Sequence, residues 1–135
     1  MKWKVVGTSV RGSSHEKTNK PCQDCHAWLK IENSLFIAVA DGAGSATHAE
    51  VGSALAVQSA METVQSAPAP RRAVEWTIRL QSAIYAARET IRVESQMRGL
   101  SPSDFHTTLL LTVATPEYVV SVQIGDGATV VGDAQ

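Results

Sequence analysis

The stretch Leu35-Phe36-Ile37-Ala38-Val39-Ala40-Asp41-Gly42-Ala43-Gly44-Ser45 decides how the rest of the chain is read. Six apolar residues without a polar break predict a central strand covered on both faces. Asp41 closes the run, and the glycine-rich segment after it breaks the strand. Upstream, 26–31 is a second apolar run, separated from the first by Glu32-Asn33. Asn tolerates positive φ, so the two runs predict a hairpin with a tight turn. Downstream, Thr47 and Glu50 stand at capping-box spacing and predict a helix over about 48–66. Its predicted stripe is Ala54, Val57, Met61 and Val64, and Pro68 and Pro70 end it.

A second helix is predicted over about 71–98. Trp76, Leu80, Ala83, Ile84, Ala87 and Ile91 form its buried face, and Gly99 suits the position just past its end. Arg71 and Arg72 fall in its first turn, where the helix dipole disfavours cations. Nothing in the sequence explains that placement. At the start of the chain, 2–10 is β-branched and partly alternating, which predicts a strand. Residues 11–23 and 101–104 read as loops. Two further strands are predicted over 107–114 and 118–124. Gly125-Asp126-Gly127 is a tight turn, and 128–132 begins another strand. The order β-β-β-α-α-β-β-β, with hairpins, indicates α+β with antiparallel sheet.

The chain has 135 residues, enough for one domain with a sizeable core. Its formal net charge of −1 argues against nucleic acid or anionic membrane as the main partner. The longest apolar run is far too short to span a bilayer. The opening residues lack the apolar core of a secretory signal, so the expected location is cytoplasmic, with reduced thiols. Cys22 and Cys25 form C-x-x-C, with His15 and His26 nearby. Zinc and redox readings are both open to such a motif. Structural or incidental cysteines are the favoured reading. No second ligand pair has normal zinc spacing, and Trp28, Leu29 and Ile31 read as strand where a redox motif wants a helix.

Three aspartates share one local design. Asp24 precedes a strand, Asp41 closes a buried strand before glycines, and Asp126 follows an apolar strand inside Gly-Asp-Gly. Strand ends can gather such carboxylates at one rim of a sheet, where carboxylates and main-chain carbonyls suit Mg²⁺ or Mn²⁺. Asp-Gly is also among the commonest turn pairs, so each aspartate alone is weak. Arg11, just after the first predicted strand, could place a guanidinium fork on a phosphate. His15 and His106 are the candidate proton donors. The segment 41–46 resembles a phosphate-cradling turn but lacks the Lys-Ser/Thr of a P-loop.

At these residues the chain resembles the metal-dependent Ser/Thr protein phosphatases, called PPM or protein phosphatase 2C-like. Three motifs match in order. Ser9-Val-Arg11-Gly-Ser-Ser-His15, followed by Pro21-Cys-Gln-Asp24, is similar to the family's N-terminal Arg and Gln/Glu-Asp segment. Phe36-Ile-Ala-Val-Ala-Asp41-Gly42 is similar to its apolar strand ending in the Asp-Gly metal motif. Thr107-Thr108-Leu-Leu-Leu, with Val122-Gln-Ile-Gly-Asp126-Gly, is similar to its small-polar pair before a strand and its Gly-Asp turn. The resemblance implies an antiparallel β-sandwich flanked by helices, in α-β-β-α layers, with a two-metal centre at one end. Mn²⁺ or Mg²⁺ are the implied ions. Asp41 would bridge the metals, the Gly42 carbonyl would bind one, Asp24 would act near the second, and Asp126 would hold a further, looser ion. Arg11 would grip the phosphate of a phosphorylated protein substrate; His15 could substitute for the proton-donating histidine of some members, whose place Ala43 takes here. The chemistry the resemblance implies is attack on phosphorus by a metal-activated water, without a covalent enzyme intermediate.

The chain departs from the family pattern in three places. Gln23 stands where many members carry an acid. Ala43 stands where some carry a histidine. Two further metal-binding aspartates, expected later in the family, have no counterpart here, since Asp133 follows Asp126 too closely. The expectation is therefore a single, truncated domain over 1–135, incomplete at its C-terminus and inactive by itself. The alternative is a non-catalytic module on a degenerate phosphatase scaffold that recognises phosphorylated partners. Open sheet edges would then offer a route to self-association.

Overall fold

A computed structural model describes residues 2–133, with every side chain among them except that of His15. The elements run α1 (Ser13–Lys17), β1 (Asp24–Ile31), β2 (Ser34–Asp41), α2 (Ala49–Gln65), α3 (Ala73–Arg98), a 3₁₀ turn (Pro102–Phe105), β3 (Leu109–Ala114) and β4 (Val119–Ile124). The strands form one antiparallel sheet in the order β1-β2-β3-β4. The fold is α+β, with both long helices packed on one face of the sheet.

Alternation along each strand sends every second side chain to the helices. Phe36, Ala38 and Ala40 of β2 and Leu109, Leu111 and Val113 of β3 are buried there. They meet Ala56, Val57, Ala60 and Val64 of α2, and Trp76, Leu80, Ala83 and Ala87 of α3. The small residues of α2 set how close it comes. A Cβ at Gly52 would lie 2.0 Å from the Phe105 carbonyl oxygen, so no side chain fits there. The α2 stripe differs from the predicted one: Ala54 is exposed, while Ser53, Ala56 and Ala60 are buried. Tight packing on the 3₁₀ turn as well as on the sheet draws the buried face toward Gly52 and Ser53.

The hairpin forms as predicted, but positive φ falls on Glu32 (53°) rather than on Asn33. β2 is central, as predicted, yet its second face is only partly covered: Ile37 is half-buried and Val39 exposed. The predicted strand over 2–10 does not form. That segment crosses the second face instead of joining an edge. The Trp3 indole N–H donates to the Asn33 carbonyl at 3.0 Å, and Ser9 Oγ lies 2.7 Å from His26 Nδ1. The predicted strand over 128–132 is likewise irregular. The Thr129 hydroxyl lies 2.7 Å from that of Thr112 and 3.1 Å from that of Ser121. A strand exists only where a neighbour completes its ladder, and among the described residues neither segment has one.

α3 ends at Gly99 in the left-handed conformation (φ 67°), as predicted. The structure also accounts for Arg71 and Arg72. Glu75 Oε2 accepts the main-chain N–H groups of both, while the Arg72 guanidinium donates to Glu75 Oε1 at 3.0 Å. A carboxylate therefore sits at the positive helix end beside the cations. Arg72 holds the Glu75 carboxyl below the usual range, through its side chain and then its main chain. Among the described residues no helix is long and apolar enough to cross a membrane.

Candidate functional site

Asp24 opens β1 and Asp41 closes β2, and the ladder places the two directly opposite each other. Directly paired residues share a face, so both carboxylates emerge on the side away from the helices. The start of β3 and the end of β4 lie at the same rim, since Leu109 pairs with Ile124. The turn carrying Asp126 follows there. Asp24, Asp41 and Asp126 thus line one cleft of about 580 Å³, together with Thr108, His26 and the segment 5–10. All three aspartates are exposed. Among the described residues no three His, Cys, Asp or Glu side chains converge closely enough to hold a metal ion. The cleft gathers the carboxylates without closing them into a cage.

The segment after Asp41 is fixed by a strip of chain running from Asp104 to Thr108. The Asp41 N–H donates to Thr108 Oγ1 at 3.0 Å, and the Thr108 N–H returns a bond to the Asp41 carbonyl at 2.9 Å. The Gly42 N–H donates to the Gln23 carbonyl at 3.0 Å, and the Ala43 N–H to the His106 carbonyl at 2.9 Å. Gly42 must lack a side chain: a Cβ would lie 2.6 Å from the Gln23 carbonyl oxygen and 2.8 Å from that of Ala49. The predicted Thr47–Glu50 capping box is absent. Thr47 Oγ1 donates instead to Asp104 Oδ1 at 2.9 Å, and His48, which precedes α2, makes no side-chain cap. Asp104 also accepts the His48 N–H on its main-chain oxygen at 2.8 Å. A partner distant in sequence thereby displaced the local cap.

The remaining candidates are more scattered. Arg11 is exposed, just before α1, and is not among the residues lining the cleft. His15 lies in α1 and its side chain is outside the described atoms. The His106 side chain is exposed, and its main-chain oxygen serves the Ala43 bond. His26 lines the cleft two residues from Asp24, on the same face. Sequence reasoning treated it only as a partner for the cysteines. Strand alternation through 24, 26 and 28 was the signal that placed it on the aspartate side. Cys22 and Cys25 are free thiols, both half-buried. Burial pushes the Cys25 thiol up, which disfavours the thiolate that redox chemistry needs.

Gln23 is buried, and among the described residues its Oε1 finds no hydrogen-bond partner. That oxygen lies beside Gly44, in the loop that follows Asp41. An unsatisfied buried acceptor is costly unless a donor or cation meets it. The donors lining the cleft are the Asp24, Asp41 and Asp126 carboxylates, with the His26 imidazole beside them. A set weighted toward carboxylate oxygen fits a hard divalent cation.

A sequence model described as "Protein phosphatase 2C" matches residues 11–135. The chain is also 32% identical, over 136 residues, to "Serine/threonine-protein phosphatase 3" of Escherichia coli (strain K12). That alignment takes in 97% of this chain and 54% of the relative, so the chain spans about half the length of the curated relative it matches. The family match takes in Arg11 and, at the rim, Asp24, Asp41, Thr108 and Asp126, and the chain belongs to the protein phosphatase 2C family.

Proposed function

We propose that this chain carries the metal-binding rim of a phosphatase that hydrolyses phosphoserine or phosphothreonine monoesters in proteins. The observation that supports this most is the direct pairing of Asp24 with Asp41 at the end of a buried strand, in a chain of this family. Asp24, Asp41, the Gly42 carbonyl and Asp126 would hold Mn²⁺ or Mg²⁺. Such ions, when bound, act as Lewis acids and lower the pKa of coordinated water. Asp41 would be the most firmly held of these ligands, because its main chain is tied to both neighbouring strands. Asp126, on an exposed turn, would hold a weaker site. Arg11 would grip the substrate phosphate through its guanidinium fork. His15 would hold a proton for the departing alcohol oxygen. The cytoplasm is the compartment that free cysteines suit.

Titration calorimetry of the chain with Mn²⁺ tests this assignment. Wild type takes up the ion, and Asp41→Ala weakens the uptake at least tenfold. Uptake indifferent to Asp41→Ala would sink the site.

A further inference from the structure

Thr108 occupies a position that the family reading leaves without a role. It sits between the two segments that carry the proposed ligands and touches both. Its hydroxyl oxygen accepts the Asp41 N–H at 3.0 Å, and its own N–H donates to the Asp41 carbonyl at 2.9 Å. On its other side, its methyl packs on the backbone of the turn that holds Asp126. A Cβ at Gly125 would lie 2.6 Å from Thr108 Cγ2, so only glycine, here at φ 86°, lets that turn come so close. Thr108 also lines the cleft itself.

The reciprocal bonds matter because Asp41 ends its strand. Past Asp41 the Gly42 N–H still reaches the Gln23 carbonyl on the β1 side at 3.0 Å, while on the β3 side it is a side chain, that of Thr108, that meets the Asp41 N–H. The Thr108 hydroxyl satisfies the last N–H of β2 on the β3 side. It thereby fixes the direction in which the Asp41 side chain leaves the backbone. Groups that hydrogen-bond around a ligand orient it, and their loss weakens metal binding without removing a ligand.

We propose that Thr108 is a positioning residue that sets Asp41 through its hydroxyl. The inference rests on the metal reading of the cleft. Two substitutions separate the hydroxyl from the methyl. Thr108→Val keeps a methyl against Gly125 and removes the acceptor; Thr108→Ser keeps the acceptor and removes the methyl.

The experiment is Mn²⁺ titration calorimetry on the full chain, well below the melting temperature of each variant, with melting recorded alongside. Thr108→Val should bind Mn²⁺ roughly tenfold more weakly, in the range expected for lost support around a ligand. Thr108→Ser should stay within about twofold of wild type, as expected when the same hydrogen bond remains. A lower melting temperature in Thr108→Val with unchanged Mn²⁺ affinity overturns the proposal, because a purely structural threonine would do that. If Thr108→Val does not fold, Thr108→Ser decides: retained affinity supports the hydroxyl's role, and a tenfold loss overturns it. Wild type taking up no Mn²⁺ would overturn the metal reading and this role with it. Uptake lost in Asp41→Ala but unchanged in Thr108→Val overturns this role alone.

Discussion

The Asp41 segment and the Asp126 turn reach the same cleft by opposite means. Asp41 ends a central strand flanked by β1 and β3, and its backbone is bonded to Gln23, His106 and Thr108 through the residues around it. Asp126 follows the edge strand β4, in a turn that is exposed at Gly125, Asp126 and Gly127. A Cβ at Gly125 would meet the Thr108 side chain at 2.6 Å, and one at Gly127 would lie 3.6 Å from Leu110. The difference teaches where rigidity comes from. A ligand at the end of a doubly paired strand inherits the sheet's geometry, whereas a ligand on an edge turn keeps its own freedom. Under the proposed metal reading, that contrast would give one tightly held ion and one looser one.

Substituting the glycines tests the contrast most severely. Gly42→Ala forces a methyl onto two backbone carbonyls and should cost about 3 kcal/mol in urea unfolding, at the upper end of overpacking costs. Gly125→Ala meets a positive φ and one threonine methyl and should cost about 1–2 kcal/mol. A larger loss at Gly125 would break the comparison. The next test reads the ligands directly. Asp41→Asn should weaken Mn²⁺ binding at least tenfold, and Asp126→Asn by roughly threefold or less, if loss of a well-supported ligand outweighs loss of an exposed one. Equal losses in calorimetry would mean that both segments hold the same ion equally. The smallest effect concerns the strip that braces Asp41. Asp104→Ala removes the acceptor of the Thr47 hydroxyl and of the Ser101 N–H. It should lower stability by about 1–2 kcal/mol. Amide hydrogen exchange should quicken across 43–48 more than across 125–127. Faster exchange confined to the Asp126 turn would show that Asp104 braces the wrong segment.

Much of the fold was legible from local pattern. α3 spans Ala73–Arg98 where its periodicity predicted about 71–98, and its end at Gly99 followed from the need for positive φ. The hairpin followed from two apolar runs and a polar pair. The strands predicted over 2–10 and 128–132 were not legible as failures. Their β-branched residues are right for a strand, but a strand is a relation between two segments. The sequence of one segment does not say whether a partner is there. The capping box at Thr47 misled for a related reason. Its spacing was correct, but Asp104, 57 residues away, took the hydroxyl.

For the candidate site, the sequence by itself determined the chemistry: three aspartates at the ends of apolar runs, two of them beside glycines, and the oxygen donors that hard cations prefer. Those choices are local, because strand ends and tight turns are encoded in a few adjacent residues. Only the tertiary structure decided which donors meet. The register sets Asp24 against Asp41, the sheet order brings Asp126 to the same rim, and the packing of Gly52 on Phe105 seats the strip that fixes Asp41. Those facts depend on contacts between residues far apart in the chain, which shape complementarity and hydrogen-bond satisfaction select only once the whole core is assembled.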